Sequence, residues 1–339
     1  MQKKNIILAV VLGSSLLGTS ALACSRLLWN NDKAVVVGRT MDLYMSDKAR
    51  LVVFPHGVSR GGPEGMTNML QWKSKYASVA VSGLDAAISD GLNEKGLSAN
   101  LLYLHGSKYE KRDNRPGVPN TLWAQYLLDN FETVAEAVAA MKAVQIVSIS
   151  AGGREWPVHL SIADAKGDSA IFEFINGKLV VNQGPQTVVM TNEPSLAVQR
   201  KNLLKYRLFG GKKSMPGDID PLSRFVRASS YLKTLPKPDS SLDAIAGTYS
   251  IARNVAVPFG AHDTSGGDSA DTWPTLWSSV ADMTHHIYYF QSTRSPNVFW
   301  VDLSTVNTSE GAPVIDVDAY DSSLSGDVSS RLKPSKLKI

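Results

Sequence analysis

Cys24 is the only cysteine in the 339 residues, and it directly follows Ala21-Leu22-Ala23, an A-x-A pattern of the kind that signal peptidases cleave. Two lysines and an apolar run over residues 6–17 precede this pattern. Cleavage before Cys24 would place a thiol and a free α-amino group on one residue, which are the nucleophile and base needed to attack an amide. The sequence therefore predicts an export signal over residues 1–23 and a nucleophile at the new terminus.

Lipidation is the competing interpretation of Cys24. Lipoproteins also place cysteine after the cleavage site, usually with a large aliphatic residue three positions before it and a small one two positions before it. Here Ala21 and Leu22 occupy those positions in the opposite order. The order favours an ordinary signal-peptidase site, but the signal segment alone leaves open a lipid-anchored binding protein without catalysis.

Arg39 and Asp42 lie in Gly38-Arg39-Thr40-Met41-Asp42, shortly after Cys24. Alone, this segment is typical of a turn with a surface ion pair. Beside an N-terminal cysteine, Arg39 would favour the thiolate and lower the thiol pKa, and Asp42 would hold the α-amine in hydrogen-bonding position. Arginine stays protonated, so the base would be the α-amine, whose ordinary pKa of about 7.7–8.0 suits proton transfer.

The elements that must position these residues alternate in blocks. The first hundred residues favour strands around a turn at Asp90–Gly96, and helical periodicity covers residues 121–144, with a capping box at Thr133 and Glu136. A second strand block follows, with a hairpin signal at Asn176-Gly177. The remaining predicted elements are strands at 34–37, 77–81, 98–104, 159–163, 170–174, 178–182, 187–190, 287–291 and 298–303, and helices at 221–235 and 241–247. Strand blocks beside helices, without strict βαβ alternation, predict an α+β fold.

Composition restricts the class of protein further. A lone cysteine excludes a disulfide scaffold, and no segment after residue 23 is apolar and long enough to span a membrane. The formal charge of +4 falls to +2 without the two N-terminal lysines, and no basic stripe points to nucleic acid. Residues 24–339 are predicted to form one domain. The six histidines lack metal-ligand spacing, and we expect neither a metal nor a cofactor.

The order of several short motifs resembles the choloylglycine hydrolases, a family of N-terminal nucleophile hydrolases that includes bile salt hydrolases and penicillin V acylases. The resemblance covers nearly the whole chain after residue 23 and implies a four-layer αββα sandwich. Its motifs are Cys24, Gly38–Asp42, Asp90–Leu97, Thr191–Pro194, Pro216–Asp218, Ser223–Ala228, Val257–Gly260, Thr275–Asp282 and Tyr288–Phe290.

The resemblance implies roles for individual residues. Cys24 matches the nucleophile, Arg39 and Asp42 match the pair that tunes the thiol and orients the α-amine, and Asn192 matches the oxyanion-hole asparagine. Arg224 matches a second active-site arginine. Tyr103 falls where bile salt hydrolases have an oxyanion-hole asparagine and penicillin V acylases have tyrosine, although a shift of register would place Asn100 there instead.

The resemblance also implies a substrate class. Tyr103, the export signal and the short segment between Asn192 and Arg224 are similar to the Gram-negative penicillin V acylases. We therefore expect a periplasmic enzyme for penicillin V-like acyl amides, with acyl homoserine lactones or conjugated bile salts as alternatives. The family also implies a homotetramer, although the short segment lacks the hairpin that assists assembly in the Gram-positive bile salt hydrolases.

Overall fold

Two large sheets form the centre of the computed structural model, which describes residues 24–84, 87–150, 153–261 and 273–337. The predicted export signal, residues 1–23, lies outside the described residues. The strands are β1 (Cys24–Asn30), β2 (Val35–Asp42), β3 (Arg50–Phe54), β4 (Ser59–Arg60), β5 (Trp72–Lys73), β6 (Ser78–Gly83), β7 (Ala87–Asn93), β8 (Ser98–Tyr103), β9 (Gly117–Pro119), β10 (Gln145–Val147), β11 (Val158–Ala163), β12 (Ser169–Ile175), β13 (Lys178–Gln183), β14 (Val189–Thr191), β15 (Thr275–Asp282), β16 (Ile287–Ser292), β17 (Phe299–Asp302), β18 (Ile315–Asp318), β19 (Gly326–Asp327) and β20 (Lys333–Pro334). The α-helices are α1 (Trp123–Asn130), α2 (Val134–Ala140), α3 (Leu196–Leu203), α4 (Pro221–Thr234) and α5 (Ser241–Val255).

The strand order places the N-terminal strand well inside one sheet. Among the described residues, a seven-stranded sheet has the order β14-β1-β2-β15-β16-β17-β19, and a nine-stranded sheet has the order β13-β12-β11-β8-β7-β6-β3-β18-β20. β1 pairs antiparallel with both β14 and β2. The start of β1 is therefore flanked on both sides by strands that can carry functional side chains.

Alternating apolar side chains stack the layers. In β2, Val35 and Val37 share a cluster with Leu51 and Val79 of the nine-stranded sheet. Val36, between them, points the other way, because successive strand residues face opposite sides of a sheet. The space between the two sheets is thus filled from both sides by β-branched and aliphatic residues.

Helices cover the two outer faces. α5 packs on the seven-stranded sheet through Ala244 and Tyr249, which cluster with Val36 and Val280, and α4 lies beside it. On the other side, α1 packs through Trp123 onto the nine-stranded sheet. The result is the α+β fold with four layers, αββα, that the sequence indicated. None of the helices in the described residues is long and apolar enough to cross a membrane.

Several local predictions are confirmed. Asn176 and Gly177 both have positive φ angles, 51° and 74°, as a tight hairpin between β12 and β13 requires. Thr133 accepts from the backbone N–H of Glu136, whose side chain accepts from the backbone N–H of Thr133. This is the predicted capping box, and it starts α2.

Two predictions of element boundaries are wrong. The helix over 121–144 is interrupted because Phe131 is extended (φ −126°, ψ 148°), which separates α1 from α2. The turn at Asp90–Gly96 is shorter than predicted, since β7 continues to Asn93. The Asn93 side-chain oxygen then accepts from the backbone N–H groups of Lys95 and Leu97 and closes the turn.

Further boundaries differ, among them that of β2, which runs to Asp42 rather than ending at residue 37. α5 extends through Val255, eight residues beyond the prediction, because Ile251, Ala252 and Val255 continue its buried face. β14 begins at Val189 rather than at residue 187, where a short 3₁₀ turn precedes it.

Candidate active site

Strand register assembles the site around the first residue of β1. Cys24 lies opposite Met41 of β2, and Ser25 lies opposite Thr191 of β14. Asn192, which directly follows β14, is therefore beside Cys24 although 168 residues separate them. Antiparallel pairing brings together segments that are distant in the chain.

The Cys24 thiol is buried, with 4% of the residue exposed. Its sulfur lies 3.5 Å from the backbone nitrogen of Asp42 and 3.9 Å from the sulfur of Met41. Burial raises the pKa of the thiol, and the Asp42 carboxylate adds to the rise, while the charges of Arg39 and Arg224 oppose it. Arg39 lowers the pKa of the thiol, as the sequence predicts, but the loss of water on burial outweighs both arginines, so the net pKa is raised.

Arg39 lies between the two sheets and is 1% exposed. Its guanidinium donates to the backbone carbonyls of Ser89 and Leu101 at 3.1 and 2.9 Å and lies 3.6 Å from the Asp90 carboxylate. It also contacts the Met41 sulfur at 3.6 Å, so that the methionine separates Arg39 from the thiol. Arg39 thus acts on Cys24 through its charge.

Asp42 is enclosed by hydroxyl groups. Its carboxylate accepts from Thr275 and, at 3.4 Å, from Thr40, and it lies 3.9 Å from the Arg224 guanidinium. Burial raises its pKa to about 7, although the Arg224 charge and the Thr275 hydrogen bond counteract the rise. The sequence predicts that Asp42 orients the free α-amine of a Cys24 terminus; in the full-length chain this nitrogen is a peptide N–H, and it donates to the side-chain oxygen of Asn192.

Asn192 bridges Cys24 and Tyr103. Its Oδ1 accepts from the Cys24 nitrogen, and its Nδ2 donates to the backbone carbonyl of Tyr103 at 2.7 Å. Gln199 of α3 holds the turn after β14, donating to the Asn192 carbonyl at 2.7 Å. A side-chain amide carries two N–H groups, so one hydrogen bond to Tyr103 leaves a second donor on Nδ2.

Tyr103, rather than Asn100, lies at this site. Asn100 is buried between the sheets, where it donates to Asp90 at 2.6 Å and accepts from Arg26 at 3.4 Å. Tyr103 ends β8 and lines the space beside Cys24. Two strand positions three residues apart face opposite sides of the sheet, which explains why Asn100 and Tyr103 have different surroundings.

Arg224 fixes the main chain of the first two residues. The side chain extends from α4 and donates to the Cys24 carbonyl at 2.6 Å and to the Ser25 hydroxyl at 2.7 Å. It also lies 3.3 Å from Asn192 Oδ1. The structure therefore brings together all six predicted site residues: Cys24, Arg39, Asp42, Tyr103, Asn192 and Arg224.

An apolar cavity opens beside the thiol. It has about 660 Å³ of space free of atoms, including its open mouth. The rings of Trp156 and Trp273 pack against Tyr103 at centroid distances of 6.2 and 5.8 Å. The remaining apolar lining is Met41, Leu43, Leu84, Ala87, Leu101, Leu102 and Val158. This wall suits a flat or aliphatic acyl group next to Cys24.

Sequence reasoning missed several residues of the site. Thr275 and Gln199 hold Asp42 and the Asn192 turn, yet neither has a catalytic side chain that would single it out. Trp156 and Trp273 line the cavity, but neither carries a catalytic group or lies in one of the short motifs. Within the described ranges, no group of three His, Cys, Asp or Glu residues could hold a metal ion.

Comparison with known proteins identifies the family. The model of the linear amide C–N hydrolases, choloylglycine hydrolase family, matches residues 24–316. A protein named penicillin V acylase from Pectobacterium atrosepticum is 35% identical, and the match covers 97% of this chain and 94% of the relative. A bile salt hydrolase/transferase from Clostridium perfringens is 25% identical over 83% of this chain and 92% of its own.

Solved structures agree with this match. The penicillin V acylase of Agrobacterium tumefaciens superposes with a TM-score of 0.83 at 38% identity, covering 93% of this chain and 98% of that one. The conjugated bile acid hydrolase of Clostridium perfringens shares the fold, with a TM-score of 0.74 at 23% identity over 89% and 98% of the two chains. The chain therefore belongs to the choloylglycine hydrolase family and is a linear amide hydrolase.

Proposed function

We propose that the chain is an exported N-terminal cysteine hydrolase that cleaves the side-chain amide of penicillin V-like substrates. The observation that carries the proposal is the position of the sole cysteine, whose sulfur lies at an aromatic cavity while its nitrogen contacts Asn192. Two similar proteins are named penicillin V acylase. The flat rings of Tyr103, Trp156 and Trp273 offer stacking surfaces for a phenoxy group.

The first half of the proposed reaction forms a thioester. Removal of residues 1–23 would convert the Cys24 nitrogen from a peptide amide, which cannot accept a proton, into an α-amine. The amine takes the thiol proton as the sulfur attacks the amide carbonyl, and the Asn192 side-chain oxygen already lies in place to orient it. Asn192 Nδ2 and the backbone N–H of Tyr103 would stabilise the oxyanion. The α-ammonium then protonates the leaving nitrogen as the carbon–nitrogen bond breaks.

The second half releases the acid. The α-amine deprotonates a water molecule, which attacks the thioester carbonyl, and the thiolate leaves and regains the proton. Arg224 holds the carbonyl of Cys24 and the hydroxyl of Ser25 throughout. Arg39 contributes positive charge that opposes the effect of burial on the thiol pKa.

Export and processing are part of the same proposal. The signal-like residues 1–23 support a periplasmic location, and a free Cys24 amine requires their removal. The intact mass of the protein purified from its host separates the alternatives. An unmodified chain starting at Cys24 supports the enzyme, whereas a mass excess of a diacylglycerol group supports the lipid-anchored protein. A homotetramer remains a prediction from the family resemblance.

Release of phenoxyacetate from penicillin V tests the chemistry. The wild-type protein should hydrolyse penicillin V, and Cys24→Ser should lose at least about 10³ in kcat, since a hydroxyl is a far weaker nucleophile than a thiolate. Ser323→Ala, on a surface turn, serves as the control variant. Equal rates for wild type and Cys24→Ser would remove Cys24 as the nucleophile. Cleavage of acyl homoserine lactones or conjugated bile salts without cleavage of penicillin V would overturn the substrate assignment.

A further inference from the structure

Arg154 stacks on Trp156, one of the rings that line the cavity. Its guanidinium carbon lies 4.8 Å from the ring centroid of Trp156 and 5.9 Å from that of Tyr44. One N–H also donates to the Tyr44 hydroxyl at 3.3 Å. The Tyr44 ring in turn packs on Trp273 at 5.2 Å. The arginine is therefore attached to the same aromatic wall that lines the cavity beside Cys24.

The positive charge of Arg154 has no carboxylate partner among the described residues. No carboxylate there lies within 4 Å of its guanidinium, although Glu155 is its neighbour in the chain. The residue is exposed to solvent. Arginine has five N–H donors in a planar fork, so the contacts of Arg154 with the hydroxyls of Tyr44 and Tyr103 leave further donors for a ligand. Such a fork matches the two oxygens of a carboxylate.

The chain around Arg154 is held in place from the interior. The Trp156 carbonyl accepts from Asn120 Nδ2 at 2.9 Å and from the Tyr109 hydroxyl at 3.3 Å. The backbone N–H of Val158 donates to the same hydroxyl at 3.2 Å. These contacts fix the main chain at Trp156, two residues after the exposed Arg154.

The amine half of the substrate is the part that would approach Arg154. Because the proposed function puts the acyl group in the apolar cavity beside Cys24, the leaving amine would project towards solvent, to which Arg154 is exposed. Tyr103 joins the two places, since its carbonyl contacts Asn192 and its ring packs on Trp156. The Arg154 charge also opposes the rise that burial causes in the pKa of the Tyr103 hydroxyl. The Arg154 guanidinium and the oxyanion side of the site are thus separated by about the length of the Tyr103 side chain.

We infer that Arg154 is a specificity residue that binds an anionic group, a carboxylate, on the amine half of the substrate. The inference rests on the proposed function, because it assumes that the acyl half fills the aromatic cavity. It predicts that amides of amino acids and of fused-ring carboxylic acids are preferred over amides whose amine half is neutral.

Matched substrates test the inference. The values of kcat/KM are measured for penicillin V and for its methyl ester, which differ only in the negative charge of the amine half. Arg154→Met should lower kcat/KM about ten-fold for the acid, mainly through KM, because a partly exposed charge-assisted contact is lost. The loss for the ester should be two-fold or less, so the preference for the acid falls at least five-fold. Arg154→Lys keeps the charge but loses the planar fork, so it should retain only part of this preference.

Arg253→Met is the control, because Arg253 is also exposed and stacked on a ring, that of Tyr249 at 5.1 Å, but lies on α5 over the opposite sheet. Its acid-to-ester ratio should equal that of the wild type. Equal losses on acid and ester in Arg154→Met would overturn the inference and leave a structural stacking role for Arg154. A wild-type protein inactive towards both would instead overturn the proposed function, so the two failures are distinguishable.

Discussion

Substituting Asn192 with leucine tests the oxyanion assignment most directly. The side chain makes three hydrogen bonds, from the Cys24 nitrogen, from Arg224 and to the Tyr103 carbonyl. Leucine has nearly the same shape but neither donates nor accepts. If Asn192 Nδ2 stabilises the oxyanion, its loss should lower kcat by about 10²–10³, as removal of one such donor does elsewhere. KM for penicillin V should change much less, because the donor acts on charge that develops only in the transition state.

The same substitution should also destabilise the protein. A typical hydrogen bond contributes about 1 kcal/mol net, so loss of the three contacts should reduce the free energy of unfolding by about 2–4 kcal/mol. Urea denaturation measures this change, and circular dichroism shows whether the variant remains folded. Alkylation of the Cys24 thiol measures the fraction of molecules with a reactive site. The value of kcat is then expressed per reactive thiol.

Asn130→Leu is the matched control. Asn130 ends α1 and also donates from Nδ2 to a backbone carbonyl, that of Tyr126, at 2.7 Å. This variant should lose about 1 kcal/mol of stability and keep kcat within two-fold of the wild type. If Asn192→Leu is folded, has a titratable thiol and retains more than a tenth of the wild-type kcat, Asn192 does not stabilise the oxyanion.

Two further predictions concern stability. Burial raises the pKa of Asp42 to about 7, so the folded chain holds a proton there that the unfolded chain has released, and stability should fall as the pH rises from about 4 to about 7. Urea unfolding gives the free energy of unfolding at each pH in this range. In the wild type this free energy should fall by up to about 1.4 kcal/mol per pH unit because of Asp42, and Asp42→Asn should remove this fall. The same pH dependence in variant and wild type would contradict the raised pKa of Asp42. Thr133→Ala should cost about 1 kcal/mol of unfolding free energy by removing the N-cap of α2, and Thr133→Ser should restore most of it; equal stability of the alanine and serine variants would count against this role.

Local signals in the sequence predict local structure well in this chain. The Asn176-Gly177 hairpin and the Thr133 capping box are both present, because each depends on a few neighbouring residues. Boundaries were less predictable. Phe131 ends α1 because it adopts an extended conformation, although the helical spacing of apolar residues continues past it.

The predicted site residues come together, but some contacts differ from those expected. Asn192 rather than Asp42 accepts from the Cys24 nitrogen, and burial rather than Arg39 dominates the thiol pKa. Both differences arise from how deeply these residues are buried. The energy of a charged group depends on the water and dipoles around it, which cannot be derived from residue types and spacing.

The order of motifs along the chain was enough to indicate the family, the αββα fold and a set of six site residues, since these depend on residue identity at matched positions. Only the tertiary structure decided which atoms meet. It placed Tyr103 rather than Asn100 beside the thiol, brought Thr275 to Asp42, and stacked Arg154 on Trp156 of the cavity wall. Strand register across two sheets determines these contacts, and register depends on pairing between segments that lie far apart in the sequence.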